Sequence, residues 1–278
     1  MKDQKNSAPP RSGLPDRSTY ALTALLGVVA ILQAAGGLFI PGLYRDNTWV
    51  VSVFQGTDVV TLIVAVPSLI GSLVFALRGS VGARLVLAGT SYYLFYNNLY
   101  YLFSAFNRFF LVYVALFILS LALLVSLFLR MDAGSLRVRG NVTARRACSV
   151  AMFVCAALLM AMWVGQSVLF ILNGQVPQLI TDSGGVTHMV AALDLTLEVP
   201  PLVLGGILLW RARPWGAALS SVILVECVLV TINLLITPFF QEAAGIQDAW
   251  MMVPLWACMV PAFLVPAVYI LKNITREP

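Results

Sequence analysis

Two acidic residues, Asp194 and Glu198, stand four apart in one apolar stretch, and a third, Glu226, lies in the next. Four residues are about one helical turn, so Asp194 and Glu198 share a helix face. A fourth acid, Asp58, opens an apolar run in the first half of the chain, and no Lys or Arg lies deep in any of these runs. An ionisable side chain within lipid costs about 2.5–3.5 kcal/mol on insertion scales, so each acid needs a reason to be there. Two carboxyl groups on one buried face repel when both are ionised, so a proton is expected to be held between them. Such a group takes up and releases protons, or holds a cation. The plainer alternative is a set of neutral carboxyl groups that only bridge helices.

Other polar residues recur near the same depth. Tyr93, Asn97 and Tyr100 follow at helical spacing with Tyr96 beside them, Asn233 shares a face with Glu226, and Gln33 and Gln166 add amides. Pro200 and Pro201 lack the N–H groups that would bond the carbonyls of Thr196 and Leu197, and Pro67 does the same to Ile63. Broken helices of this kind line cavities in membrane proteins. The expected pocket for a proton, a cation or a small-molecule ligand is therefore Asp58, Asp194, Glu198, Glu226, Tyr93, Asn97, Gln33 and Gln166, opening away from the cytoplasm. Tyr100 and Tyr101 are assigned instead to an interfacial aromatic belt.

Several chemistries are excluded. The one histidine, His188, rules out bis-His haem, multi-His di-iron and ordinary zinc hydrolase sites. No phosphate-cradling Gly-x-x-x-x-Gly-Lys run, Asp-rich run or Gly-x-Ser-x-Gly elbow occurs. No catalytic residue, metal or cofactor is expected. The four cysteines form no Cys-x-x-Cys pair and read as small buried apolar residues.

The elements that must position these groups are membrane helices. A chain of 278 residues that is 60% hydrophobic and 10% charged lies far outside the soluble range. Apolar runs at 20–40, 57–77, 82–103, 109–129, 147–172, 188–210, 215–236 and 249–271 are each long enough to span a bilayer. Charge then sets the orientation. Lys2, Lys5, Arg11 and Arg17, then Arg78 and Arg84, then Arg130, Arg137, Arg139, Arg145 and Arg146, then Arg211 and Arg213, then Lys272 and Arg276 fall on alternate connections. Only Arg45 and Arg108 fall on the other side. The expectation is an all-α integral membrane protein of eight transmembrane helices, multi-pass in the cytoplasmic membrane, with both termini cytoplasmic. The basic excess is thereby used up by topology, which leaves no nucleic-acid surface, and the expected partner is the lipid bilayer. The first run is too long for a signal-peptide core, and its removal would leave an odd helix count, so it is expected to be retained.

The two halves resemble each other. At an offset of 134 residues Pro67, Gly71, Gly82, Ala83 and Leu85 match Pro201, Gly205, Gly216, Ala217 and Leu219, and Gln33 corresponds to Gln166 at 133. An even-numbered repeat inserts the same way up twice, giving two like-oriented four-helix repeats with ligand sites between them. The chain divides into a disordered cytoplasmic tail (1–19), a first repeat (20–129), a basic cytoplasmic connection (130–146), a second repeat (147–272) and a short cytoplasmic tail (273–278).

Gly42-Leu-Tyr-Arg-Asp46, Gln55-Gly-Thr-Asp58, Val66-Pro67, Leu77-Arg-Gly-Ser80, Tyr96-Asn-Asn98 and Phe106-Asn-Arg-Phe109 form a pattern across the first half. It resembles a family of uncharacterised multi-pass membrane proteins of bacteria and archaea. The resemblance implies that Asp58, Tyr96 and Asn97 belong to a recurring pattern, and it carries over no activity. Three functions stay open: a proton- or cation-coupled small-solute permease, a membrane-embedded enzyme that modifies a lipid or isoprenoid with a buried carboxylic acid, and a non-catalytic accessory or sensor subunit.

Overall fold

The computed structural model describes residues 17–276. The first half opens with α1 (Arg17–Phe39) and a rod built of α2 (Thr48–Val60), a π-helical turn (Thr61–Ala65) and α3 (Val66–Leu77). Then come α4 (Val81–Leu102) and α5 (Phe110–Arg130). A short strand β1 (Leu136–Val138) leads into the second half. There α6 (Val142–Asn173) is followed by the surface helix α7 (Gln178–Ser183). A second composite rod has α8 (Met189–Leu193), a π-helical turn (Asp194–Glu198) and α9 (Val199–Trp210). The chain closes with α10 (Gly216–Ala243), α11 (Val253–Asn273) and the strand β2 (Ile274–Arg276).

Seven helical rods are long and apolar enough to cross a membrane among the described residues. The protein is thus an all-α, multi-pass membrane protein. The eighth expected span, α4, meets the length but not the apolarity, because it carries the Tyr and Asn stripe. Its position explains how that stripe is tolerated. Thirteen of its 22 residues are buried, and it packs on α3, α5 and α10. The other well-buried helix is α10, which lies against α2, α4, α9 and α11. Polar side chains on α4 therefore face protein rather than lipid, as helix packing in a bilayer requires.

Close approach of small residues holds these central helices together. A Cβ on Gly56 of α2 would fall 2.8 Å from Thr237 Oγ1 and 2.9 Å from its Cα, so α2 and α10 meet backbone to backbone. Without a hydrophobic force between helices in lipid, such van der Waals contact is a main source of association.

Both π-helical turns precede prolines, Pro67 in one rod and Pro200 and Pro201 in the other, and they start 133 residues apart. The N–H groups of Val66 and Val199 reach back five residues to Thr61 and Asp194. The wide turn thus absorbs what the following proline cannot bond. The carbonyl of Leu197, expected to be freed by Pro201, accepts a 2.5 Å hydrogen bond from Tyr92 of α4.

Boundaries differ from the sequence reading at several places: α2 begins at Thr48 rather than at 57, so Asp58 lies ten residues inside the rod and not at its opening, and α10 runs on to Ala243 rather than ending at 236. Helix α1 begins at Arg17, so the expected tail to residue 19 is shorter, and its first 16 residues lie outside those described. Asn141 caps α6 by accepting the Thr143 N–H at 2.8 Å, which starts that helix inside the expected basic connection. At the expected C-terminal tail, Ile274–Arg276 instead pairs antiparallel with Leu136–Val138. The residues beyond Arg276 lie outside those described. Cys148, Cys155 and Cys227 are buried, but Cys258 is exposed on α11.

Candidate functional site

The eight residues singled out from the sequence divide into two groups. One surrounds Asp58. This side chain is 0% exposed, and its oxygens are fully engaged. Oδ1 accepts from Gln33 Nε2 at 2.7 Å and from the Tyr101 hydroxyl at 3.0 Å, and Oδ2 accepts from the Tyr44 hydroxyl at 2.6 Å. Tyr44, Phe54, Tyr101 and Tyr113 wall the cluster, with the Phe54 and Tyr101 rings stacked at 4.4 Å. A Cβ on Gly37 would meet Asp58 Oδ2 at 2.0 Å and Tyr44 Oη at 2.1 Å, so only glycine fits there. Asp58 gathers α1, the α1–α2 connection, α2 and α4 around one closed polar knot. Neither Asp58 nor Gln33 lines the cavity described next, from which Phe54 and Tyr101 separate them.

Around that cavity lies the second group, four of whose six residues line it while Glu226 and Tyr93 are sealed behind its wall. The cavity measures about 890 Å³ and lies between the halves, walled by α2, α4, α6, α10, α11 and the α8 rod. Its mouth is formed by the 174–188 and 244–252 connections with Asp46 and Ser104. This is the end away from β1 and β2. Asp194, Glu198, Asn97 and Gln166 line it, and no Lys or Arg does. Volume and lining fall in the range of small-molecule sites: mostly apolar walls with a few aimed polar groups.

Within it Asp194 is 6% exposed, and the Tyr96 hydroxyl donates to its Oδ1 in a very short hydrogen bond. Trp163 Nε1 donates to Oδ2 at 2.8 Å, and the Tyr96 and Tyr100 hydroxyls are 2.8 Å apart. His188 stands edge-on to Trp163. Its Nδ1 accepts from the Ala191 N–H at 3.2 Å, which leaves Nε2 to donate to Gln166 Oε1 at 3.0 Å. The imidazole is thus neutral in this arrangement.

Glu198 lies one turn deeper and is 5% exposed, with Oε1 buried and lacking a hydrogen-bond partner among the described residues. Glu226, 0% exposed, is behind the cavity wall, near enough to Glu198 for their charges to interact. Neither Glu226 oxygen has a hydrogen-bond partner among the described residues. Tyr93 is sealed in the same interior with its hydroxyl unpartnered, and it does not reach the cavity. On the opposite flank Asn233 Nδ2 donates to Thr57 Oγ1 at 2.9 Å and faces Asn97 Oδ1 at 3.5 Å. That ladder closes the α2–α10–α4 seam.

No family model, curated protein or solved structure matches this chain. The likeness of its first half to a membrane family therefore lends nothing to the site.

Sequence reasoning missed Tyr44, Tyr92 and Trp163, each of which supplies a donor to a buried acid or a freed carbonyl. It also left His188 out of the pocket and took Tyr100 and Tyr101 for a lipid-interface belt. The available signal was depth: a buried acid must find O–H or N–H donors, and Tyr and Trp on neighbouring spans were the nearest supply. Among the described residues no group of three His, Cys, Asp or Glu side chains could hold a metal ion.

Proposed function

We propose that this chain is an eight-span permease of the cytoplasmic membrane. It is built of two like-oriented four-helix repeats with both termini cytoplasmic, and it moves a small solute in exchange or symport with protons or another cation. Several features support the architecture. Helix α4 is as long as a spanning helix and sits where the third helix of a repeat belongs, opposite α10. The matching π-helical turns and prolines support the duplication. The arginine-bearing connections gather at the end where Trp215 N–H bonds Ala133 O and β1 pairs with β2, opposite the cavity mouth. A parallel repeat of this kind rocks about the interface between its halves.

One observation carries the functional reading. Asp194 and Glu198 face an open cavity lined by neither Lys nor Arg, while Glu226 lies deeper and sealed. Three acids at increasing depth form a graded path along which a proton or cation passes inward as the mouth closes. Tyr96 and Trp163 hold Asp194 at the entrance, and Glu198, which lines the cavity and whose Oε1 accepts no hydrogen bond, is the group that exchanges its charge. In proteoliposomes with an imposed pH gradient, solute-dependent proton flux is expected from the wild-type protein and from Asp58→Asn, and none from Glu198→Gln. Undiminished flux in Glu198→Gln would remove the basis of the reading.

The enzyme alternative keeps one favourable feature, the apolar and aromatic walls beside a carboxylic acid. It would need water shut out of the reaction space, whereas this cavity opens at one end of the bundle. A change in membrane lipid composition on expression, abolished by Glu198→Gln, would favour it over transport.

A further inference from the structure

The walls of the cavity narrow the kind of solute. It offers acids and neither Lys nor Arg, and its one histidine, His188, is held neutral between the Ala191 N–H and Gln166, so an anion finds no counter-charge. Both oxygens of Asp194 already accept donors, from Tyr96 and from Trp163. The Glu198 carboxyl accepts none: its Oε1 is sealed within the wall, and the 5% of the side chain that is exposed on the cavity leaves Oε2 as the oxygen a ligand reaches, where a carboxylate oxygen without a donor is costly. The group that fits it must bring both a positive charge and a hydrogen to donate. A quaternary ammonium brings only the charge. Below and beside this oxygen the wall is Leu159, Met162, Met259 and Phe263, with aromatic faces at Tyr96 and Trp163. Such a wall solvates hydrocarbon and, through its rings, the flank of a cation.

The outer wall points the same way. On α6 no residue from Val164 to Asn173 is buried, and on α11 none from Val253 to Cys258 is. Yet Gln166 and Leu169 of α6 and Trp256 of α11 line the cavity. The corresponding end of α1 is packed shut, with Gln33, Ala34, Gly36 and Gly37 all buried. These two helix ends therefore flank the cavity without a close neighbour, and the space between them and lipid is the least obstructed side.

We propose that the cavity takes a protonated amine with an apolar body. The ammonium N–H donates to Glu198 Oε2, the body lies along Leu159, Met162, Met259 and Phe263, and exchange with the membrane runs between the outer ends of α6 and α11. This rests on the reading of the cavity as a solute site.

The test uses the full chain in lipid nanodiscs and follows its intrinsic tryptophan fluorescence, since Trp49, Trp163 and Trp256 line the cavity. The probes share one body and differ in the head: phenylbutylamine, its trimethylammonium analogue, phenylbutanol and phenylbutyrate, with methylamine as the head alone. Saturable binding of phenylbutylamine is expected, with every other probe about tenfold weaker or more, the usual worth of a charge-assisted hydrogen bond. Glu198→Gln should weaken the amine about tenfold and leave the alcohol unchanged. Equal or tighter binding of the carboxylate or the quaternary analogue overturns the proposal, as does methylamine matching phenylbutylamine. If Glu198→Gln does not fold, the ranking of probes on the wild-type protein decides alone. Binding by the amine without any proton-coupled flux would sink the permease and leave the ligand class standing. Flux lost in Glu198→Gln with no amine binding would do the reverse.

Discussion

Asp58 and Glu198 are both buried acids in apolar helices, yet their surroundings give them opposite tasks. Asp58 has three donors on its two oxygens, so it acts as a knot between elements. Replacing it with Leu strands the Tyr44 hydroxyl and the Gln33 amide, while Tyr101 keeps the Phe54 carbonyl at 3.3 Å, at a cost of at least about 2 kcal/mol. Asp58→Asn retains one acceptor and turns the other group into a donor that the Tyr44 oxygen can accept, so a loss nearer about 1 kcal/mol is expected. Thermal unfolding in detergent should rank wild type, Asn and Leu in that order. A Leu variant as stable as wild type would mean that the knot contributes nothing. Glu198, by contrast, has an oxygen left over, and spare capacity beside an open space is what a binding or exchanging group requires.

Among the helices, the broken rods do the positioning. Proline removes a donor from the second rod, the π-helical turn widens to absorb the defect, and Tyr92 of α4 supplies the missing hydrogen to Leu197 O. The same turn carries Asp194 and Glu198, so the defect and the acids share one short segment. Tyr92→Phe should cost about 1–3 kcal/mol by leaving that carbonyl unsatisfied in a dry site. Pro201→Ala restores an intrahelical donor to the same carbonyl, so the double substitution should recover most of the loss. A double-mutant cycle on unfolding in detergent tests this, and strict additivity would refute the link.

For the molecule in its membrane, the decisive element is α4. If it spans, the 103–109 and 174–188 connections lie on one side and the 131–141 connection on the other. Phe106→Cys, Val186→Cys and Asp132→Cys, introduced singly with Cys258 replaced, test this. Phe106 is 73% and Val186 103% exposed, so both sites are open to reagent. A membrane-impermeant thiol reagent on intact cells should label the first two and reach Asp132→Cys only after permeabilisation. Labelling of all three from outside would break the eight-span arrangement.

The membrane class, the helical rods and the set of buried acids could be read directly from the chain, because lipid permits few solutions: long apolar runs must be helices, and every charge within one stands out. The breaks at Pro67 and Pro201 could be read as well, since a missing N–H is a local fact. What could not be read was the grouping. Asp58 and Asp194 hold nearly corresponding positions, and nothing in the sequence says that one is knotted shut by Tyr44 and Tyr101 while the other looks into a cavity. That difference comes from how tightly α1 and α6 pack at their outer ends. Gly36 and Gly37 draw α1 against its neighbours, whereas α6 has no such pair and its end stands away from the bundle. Packing between helices distant in the chain separated a structural acid from an available one, and that lies beyond the reach of spacing or composition.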